Sequence, residues 1–154
     1  MADYFMKIDG ILGESTDSKH LNEIQVQSWS WGETNSSTFN TTGKSDLQEL
    51  QFTARTSIAS PTLFLKSVTS THLKSAELVG RKTGGTAIEF LKVTLTDVLI
   101  TSYQVAGSAA DNAPLDQVSL DYARVQITYW PQTAGGAQGT PVTAGWDRTV
   151  AKNF

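Results

Sequence analysis

Apolar and polar residues alternate with period two through most of the chain, which predicts strands rather than helices. In Tyr4 to Asp9, Tyr4, Met6 and Ile8 share one face, while Phe5 lies opposite. Gly10, Gly13 and a polar stretch to Asn22 interrupt the pattern. From Ile24 to Trp31, the residues Ile24, Val26, Ser28 and Ser30 fall on one side, and Gln25, Gln27, Trp29 and Trp31 on the other, a strand with chemically different faces. Between Gly32 and Leu47 the chain is rich in Ser, Thr, Asn and Gly, with Phe39 as its one large apolar residue. That is a polar loop longer than compact domains usually tolerate, and such loops are functional or disordered. Leu50, Phe52 and Ala54 then alternate with Glu49, Gln51 and Arg55 in a third strand.

One segment departs from the β pattern. Ser60-Pro61 supplies an N-cap serine and a proline at the first helical position, and Phe64 and Val68 are four apart, predicting one short helix over about 61–70. Strand patterns over Leu73 to Lys82 and Ala87 to Leu95 flank Gly84-Gly85, a two-residue hairpin signal because both positions tolerate positive φ. The longest apolar runs change face midway: Leu91, Val93 and Leu95 give way to Val98 and Ile100, and Leu120 and Tyr122 to Val125, Ile127 and Tyr129. A face switch inside a strand predicts a bulge, a sharp bend or burial on both sides, as in small closed barrels. After Trp130-Pro131 the chain is Gly-rich as far as Gly145, and a late Phe154 points to a tail held against the body, with Trp146 and Asp147 as candidate anchors.

Composition narrows the function classes. The 154 residues include no cysteine, which removes thiol catalysis, thiolate metal sites and disulfide frameworks. Net charge is −3, with no basic run, against the expectation for a nucleic-acid binder. No stretch has the character of a leader or a membrane span, so cytosolic synthesis without a signal peptide and no membrane insertion are expected.

Chemical motifs are weak throughout. Gly43-Lys44-Ser45 resembles the end of a phosphate loop, but Thr38 stands where a glycine is needed and a strand pattern follows. His20 near Asp17 and Glu23 reads as a solvated surface histidine more readily than as a metal ligand. The pairs Asp46 with Glu49 and Asp116 with Asp121 read as charges on exposed faces, and no Gly-x-Ser-x-Gly elbow is present. Neither enzyme, metal nor cofactor is expected. Trp29 and Trp31, two apart on a strand, read first as core packing and second as an aromatic platform for a sugar or a protein neighbour.

Several segments in order resemble one family. They are Met6-Lys7-Ile8-Asp9-Gly10-Ile11 with Gly13-Glu14-Ser15, Ile24 and Val26 followed by Ser28-Trp29-Ser30-Trp31-Gly32, and Leu78 with Gly80-Arg81-Lys82 ahead of Gly84-Gly85. Thr94-Leu95-Thr96-Asp97-Val98-Leu99-Ile100 with Ser102-Tyr103, and Gly145-Trp146-Asp147, complete the set. Together they resemble the haemolysin-coregulated proteins, the tube subunits of bacterial type VI secretion. The resemblance implies a mainly β fold: a compact antiparallel β-barrel with one short α-helix and a long protruding loop, as a single domain over residues 1–154. It further implies homohexameric rings that stack into a hollow tube carrying effectors, enclosed by a contractile sheath, tipped by a spike protein, and secreted by that machine. With no domain after Phe154, a structural carrier is expected rather than a fused toxin.

On that reading Ser28 and Ser30 are the candidate lumen-facing residues, with Trp29 and Trp31 behind them. The loop from Thr34 to Asp46, with Thr34, Phe39, Asn40, Lys44 and Asp46, is the candidate contact between subunits or rings. The Ser/Thr/Asn-rich filling of residues 33–46 departs from the family's pattern. Two other readings compete: a carbohydrate-binding β module using Trp29, Trp31 or Trp146, and a tube subunit of a phage-like contractile tail.

Overall fold

The computed structural model describes residues 1–83 and 87–154. The reverse turn expected at Gly84-Gly85 therefore lies outside the described residues. Ten strands and one helix follow in the order β1 (Ala2–Ile8), β2 (Ile24–Ser30), β3 (Glu33–Asn35), β4 (Ser45–Leu47), β5 (Leu50–Arg55), α1 (Ser60–Val68), β6 (Leu73–Lys82), β7 (Ile88–Ala106), β8 (Leu115–Tyr129), β9 (Val142–Asp147) and β10 (Lys152–Asn153). Strands β8, β5, β2, β1, β6 and β7 neighbour one another in that order, all antiparallel, and a β7–β8 pairing closes them into a six-stranded barrel. Its interior is filled by alternating residues from every strand, among them Met6, Ile8, Val26, Leu50, Phe52, Leu78, Val93, Leu95, Ile100, Val118 and Leu120. Closure removes most sheet edges, so the polar backbone is satisfied without a second layer.

The face switches have a structural cause. In β7, Val93 and Leu95 point inward before Asp97, and Val98 and Ile100 after it; Asp97 takes φ 54°. Thr96 pairs with Arg124 and Val98 with Tyr122, so Asp97 sits across from Ala123, where β8 changes from Tyr122 to Val125. The two long strands therefore reverse faces together. A second shift between Ile100 and Ser102 returns β7 to its first phase. β2 does the same on a smaller scale. The register slips between Val26 and Ser28, so Ile24 and Val26 point inward before the bulge and Trp29 and Trp31 pack on the core after it. The single face expected for Ile24, Val26, Ser28 and Ser30 is thus divided by one extra residue, Gln27.

The helix differs from expectation at its cap and on its face. Ala59, not Ser60, precedes the first helical residue, and no side chain caps it. Ser60 is buried and its hydroxyl donates to Asp116 while accepting from the Ser57 amide at 2.9 Å. Leu63 is the buried apolar contact, while Phe64, Leu65 and Val68 are exposed, the reverse of the expected Phe64 and Val68 face. Asp116, expected on an exposed face, is 2% exposed. Its carboxylate accepts from Thr56 at 2.8 Å, Tyr103 at 2.9 Å and Ser60, close to the helix start, which favours negative charge.

Residues 13–23 fold back over β1. Gly13 donates to the Asn22 carbonyl at 2.8 Å, and a Cβ there would lie 2.5 Å from the Glu23 carbonyl oxygen. This loop covers Phe5, which faces away from the barrel interior. His20 stacks on the Phe5 ring at 4.5 Å, with Arg81 on the same ring at 5.0 Å. His20 is therefore buried, 5% exposed, rather than solvated: its ring nitrogens lie 3.0 Å from carboxylate oxygens of Glu23 and Glu89. No group of three His, Cys, Asp or Glu side chains able to hold a metal occurs among the described residues. Arg81 clamps Asp17 through two hydrogen bonds of 3.0 and 2.6 Å, which, with the Lys19 amide, hold the Asp17 carboxyl well below the usual carboxylate range.

Two outcomes follow from this loop. Gly13→Ala forces backbone atoms of Glu23 and Ile24 apart, so denaturant unfolding is expected to read a loss of about 1–3 kcal/mol; an unchanged midpoint would refute the close approach. Because the Asp17 pKa is depressed on folding, its stabilising effect is complete above about pH 4 and fades as pH falls below that value. Thermal unfolding of Asp17→Asn should therefore show a stability deficit against the parent that is constant near neutrality and shrinks in acid. A deficit that persists undiminished at low pH contradicts the clamp.

Candidate functional site

The wall made by β2, β5, β8 and β7 carries the expected lumen residues. Ser30 pairs with Gln51, Gln51 with Ser119, and Ser119 with Ser102, forming one rung across four strands. Ser28, Thr53, Gln117 and Gln104 form the next rung. Residues directly opposite share a face, so eight hydroxyl and amide side chains make one uncharged band on the outer face of the barrel, with Ser119 buried among its neighbours. Ser28 and Thr53 hydroxyls lie 2.6 Å apart within it. Ser28 and Ser30 are exposed, while Trp29 and Trp31 lie behind the sheet against the core. Trp29 meets Tyr4 edge-on at 5.7 Å, and Tyr4 meets Phe90 at 6.3 Å, so these half-buried aromatics pack edge to face on one another.

Two stretches of strand bordering this wall have an open side. Among the described residues β1 pairs with β2 only from Ile24 to Val26, and β6 pairs with β7 only as far as Val98. The second half of β2 and the last third of β7 therefore each leave one edge outside the ladder, with α1 touching the β7 edge where the Ser67 hydroxyl donates to the Ile100 carbonyl at 3.1 Å.

The polar loop after β2 is partly a β-ribbon. Glu33–Asn35 pairs with Ser45–Leu47, placing Thr34 opposite Asp46. Lys44 closes the ribbon: its carbonyl accepts from the Ser36 amide at 2.9 Å and its amide donates to the Ser36 hydroxyl at 2.8 Å, and Phe39 and Asn40 stand at the tip, Phe39 with 105% exposure. The foot of the ribbon is tied to the core. Trp31 Nε1 donates to the Tyr122 hydroxyl at 2.6 Å, and that hydroxyl donates to the Gln48 carbonyl at 2.7 Å. Burial pushes the Tyr122 pKa up, with the Trp31 contact opposing it, so the hydroxyl keeps its proton as a donor. Ser30, Asp46, Gln48, Gln51 and Arg148 share one open polar recess of about 500 Å³ at this foot.

Trp146 and Asp147 stand on β9, which pairs with β8 beyond the point where β5 ends, so a strand occupies the end of the segment read as Gly-rich. Asp147 is buried; hydrogen bonds from Thr149 above all, then the Arg124 charge, lower its pKa against the opposing cost of burial. β10 returns along β9, and Phe154 lies on Gly145, where a Cβ would come within 2.7 Å of its ring, with Arg124 5.6 Å from the ring centre. The structure brings Ser30 and Asp46 into one recess; Trp146 and Asp147 belong to the separate β9 flange. Gln51, Thr53, Gln104 and Gln117 were not singled out from sequence. Their signal was present as the outward phase of β5 and β8, but the wall exists only once the register aligns four strands.

No helix among the described residues is long and apolar enough to cross a membrane. A family described as type VI secretion system effector, Hcp, matches residues 5–129. Protein hcp1 of Pseudomonas aeruginosa strain PAO1 is 38% identical over 152 residues, covering 94% of each chain. The crystal structure of Hcp1 from Salmonella typhimurium superposes with a TM-score of 0.83 at 36% identity over 99% of both chains. A solved type six secretion system protein superposes with a TM-score of 0.95 at 28% identity over the full length of both. With barrel, helix and chain length all matched, this chain belongs to the Hcp family of type VI secretion proteins.

Proposed function

We propose that this chain, acting as a single tube domain over residues 1–154, assembles into hexameric rings that stack into the inner tube of a type VI secretion machine and carry effectors in the lumen. The observation that carries this reading is the uncharged band of hydroxyls and amides bordered by two open strand stretches. Ring closure through head-to-tail contacts needs two unlike, complementary borders on each subunit, and β2 and β7 differ in sequence and direction. The band then faces the channel, with Ser28 and Ser30 among its members. Hydroxyls and amides offer donors and acceptors without a fixed charge, which suits weak, reversible contact with cargo of varied sequence. The ribbon with Thr34, Phe39, Asn40, Lys44 and Asp46 makes contacts between rings, and Trp146 with Asp147 fixes the tail. The sheath, the spike and the effectors are the partners in this reading, the protein leaves the cell through the machine it builds, and no catalytic step is assigned to it.

Native mass measurement at moderate salt is expected to give about 100 kDa, six times the 16.7 kDa of one chain; a persistent monomer at high concentration overturns the ring. Ser30→Arg should leave the hexamer intact yet cut the effector retained on purified rings at least tenfold. Unchanged retention would remove the band from cargo contact.

A further inference from the structure

Past Val98, β7 has no further pairing with β6 among the described residues, and α1 takes that place along its edge. There the Ser67 hydroxyl donates to the Ile100 carbonyl at 3.1 Å, and Phe64 meets Tyr103 edge-on at 6.3 Å. By its own sequence α1 has little to hold it in position. It runs for nine residues, has no side-chain cap and no acidic residue in its first turn, and Leu63 is the one apolar side chain it buries.

The missing negative charge comes from another strand. Asp116 of β8 is buried, with no cation within ion-pair distance among the described residues. Three hydroxyls satisfy its carboxylate instead: Thr56 just past β5 at 2.8 Å, Tyr103 of β7 at 2.9 Å, and Ser60 at the first position of α1. Burial, and then the bond to Asp116, push the Tyr103 pKa up, so that hydroxyl stays a donor. Across the strands Asp116 stands opposite Ala54 and Val105. An apolar side chain at this position would fill the barrel end without the desolvation cost of a carboxylate. What the carboxylate adds is a single placement of α1, the one that brings all three donors to it at once.

We propose that Asp116 is the positioning residue of the β7 border: by docking α1 it fixes which stretch of the β7 edge, Thr101 to Ala106, is open to a second copy of this chain. The inference rests on the reading that this edge is one side of the ring contact, and it names the side chain on which the geometry of that contact depends. With α1 undocked, the Ile100 carbonyl and the rest of the edge are bare, and strand addition there has no fixed register. Asp116 is buried, so it acts through Ser60, Tyr103 and the helix they hold.

Asp116→Asn keeps the shape of the side chain, removes its charge and turns one acceptor into a donor. It should leave a chain folded by near-ultraviolet circular dichroism, remove amide protection from α1 in hydrogen exchange, and raise the concentration at which native mass reads half hexamer by about tenfold or more. Ser60→Ala frees the helix from a carboxylate that Thr56 and Tyr103 still satisfy; it should act in the same direction by about threefold, and it decides the matter if Asp116→Asn fails to fold. Val93→Ala is the control for lost stability alone, since it opens a cavity in the part of β7 that pairs with β6. It should lower the melting temperature yet assemble at the parent's concentration. Hexamers of folded Asp116→Asn or of Ser60→Ala forming at the parent's concentration overturn the proposal, as does a loss of hexamers in Val93→Ala in step with its melting temperature. A parent chain without hexamers fells the ring reading itself, and the border with it, so native mass of the parent separates the two failures.

Discussion

The paired reversal at Asp97 and Ala123 is the constraint on which the rest of the structure depends. β7 and β8 have 19 and 15 residues, longer than one wall of a small barrel can bury with a single alternating phase. By turning both strands at the same rung, the chain keeps Val93 and Leu95 inside on one side of the bend, and Val98, Ile100, Val118 and Leu120 inside on the other. An aspartate at positive φ tolerates this better than most residues, since its short polar side chain fits the left-handed region. Without the coordinated turn, half of one long strand would present its apolar residues to water. The bend also lets β8 serve two neighbours, β5 along its first half and β9 along its second.

That division of β8 separates mechanical roles. The half shared with β5 carries the uncharged outer band; the half shared with β9 holds the tail through Asp147, Arg124 and Phe154. Between them sits Tyr122, whose ring packs inside while its hydroxyl links Trp31 to the Gln48 carbonyl at the ribbon's foot, and Arg148 lies 5.3 Å from its ring centre. One residue thus joins core, ribbon and tail. A long ribbon on a flexible root would lose entropy on every contact it makes; a root fixed to a rigid barrel has already met much of that cost on folding.

Much of this was legible in the sequence, for identifiable reasons. Period two in β1, β2 and β5 marks strands, and the phase changes in β7 and β8 predict a bulge, a bend or burial on both sides, because burial on one face writes itself directly into alternation; the barrel itself came from the family resemblance. What sequence did not reveal depends on contacts from afar. His20 and Asp116 were read as exposed since their local neighbours are polar, yet each is buried by partners distant in sequence: Glu89 and Phe5 for His20, Ser60 and Thr56 for Asp116. The β2 bulge was missed because one extra residue preserves an apparently regular alternation while exchanging its faces. The helix cap was misassigned because Ser60 bonds Asp116 instead of the first turn, a choice only tertiary structure sets. The site fared similarly. Ser28 and Ser30 were visible, but their six companions belong to three other strands and acquire a common identity only through register.

In the proposed tube, neutrality of the band has a consequence for how cargo binding should scale. A charged wall would select cargo by sign and weaken with salt over a Debye length of about 8 Å at physiological ionic strength. Hydroxyls and amides in fixed rungs impose no such filter. Each contact exchanges a hydrogen bond with water for one with cargo, at a net gain of about 1 kcal/mol or less. In the proposed hexameric ring, strength then comes from repetition around the symmetry axis rather than from any single contact, and release needs no chemical trigger beyond opening the ring that multiplies the contacts. Around the band, Glu49 precedes β5, Arg55 ends it and Asp121 lies past the Ser119 rung, so these charges stand beyond the ends of the band rather than within it, and in the proposed tube they stay clear of the cargo contacts.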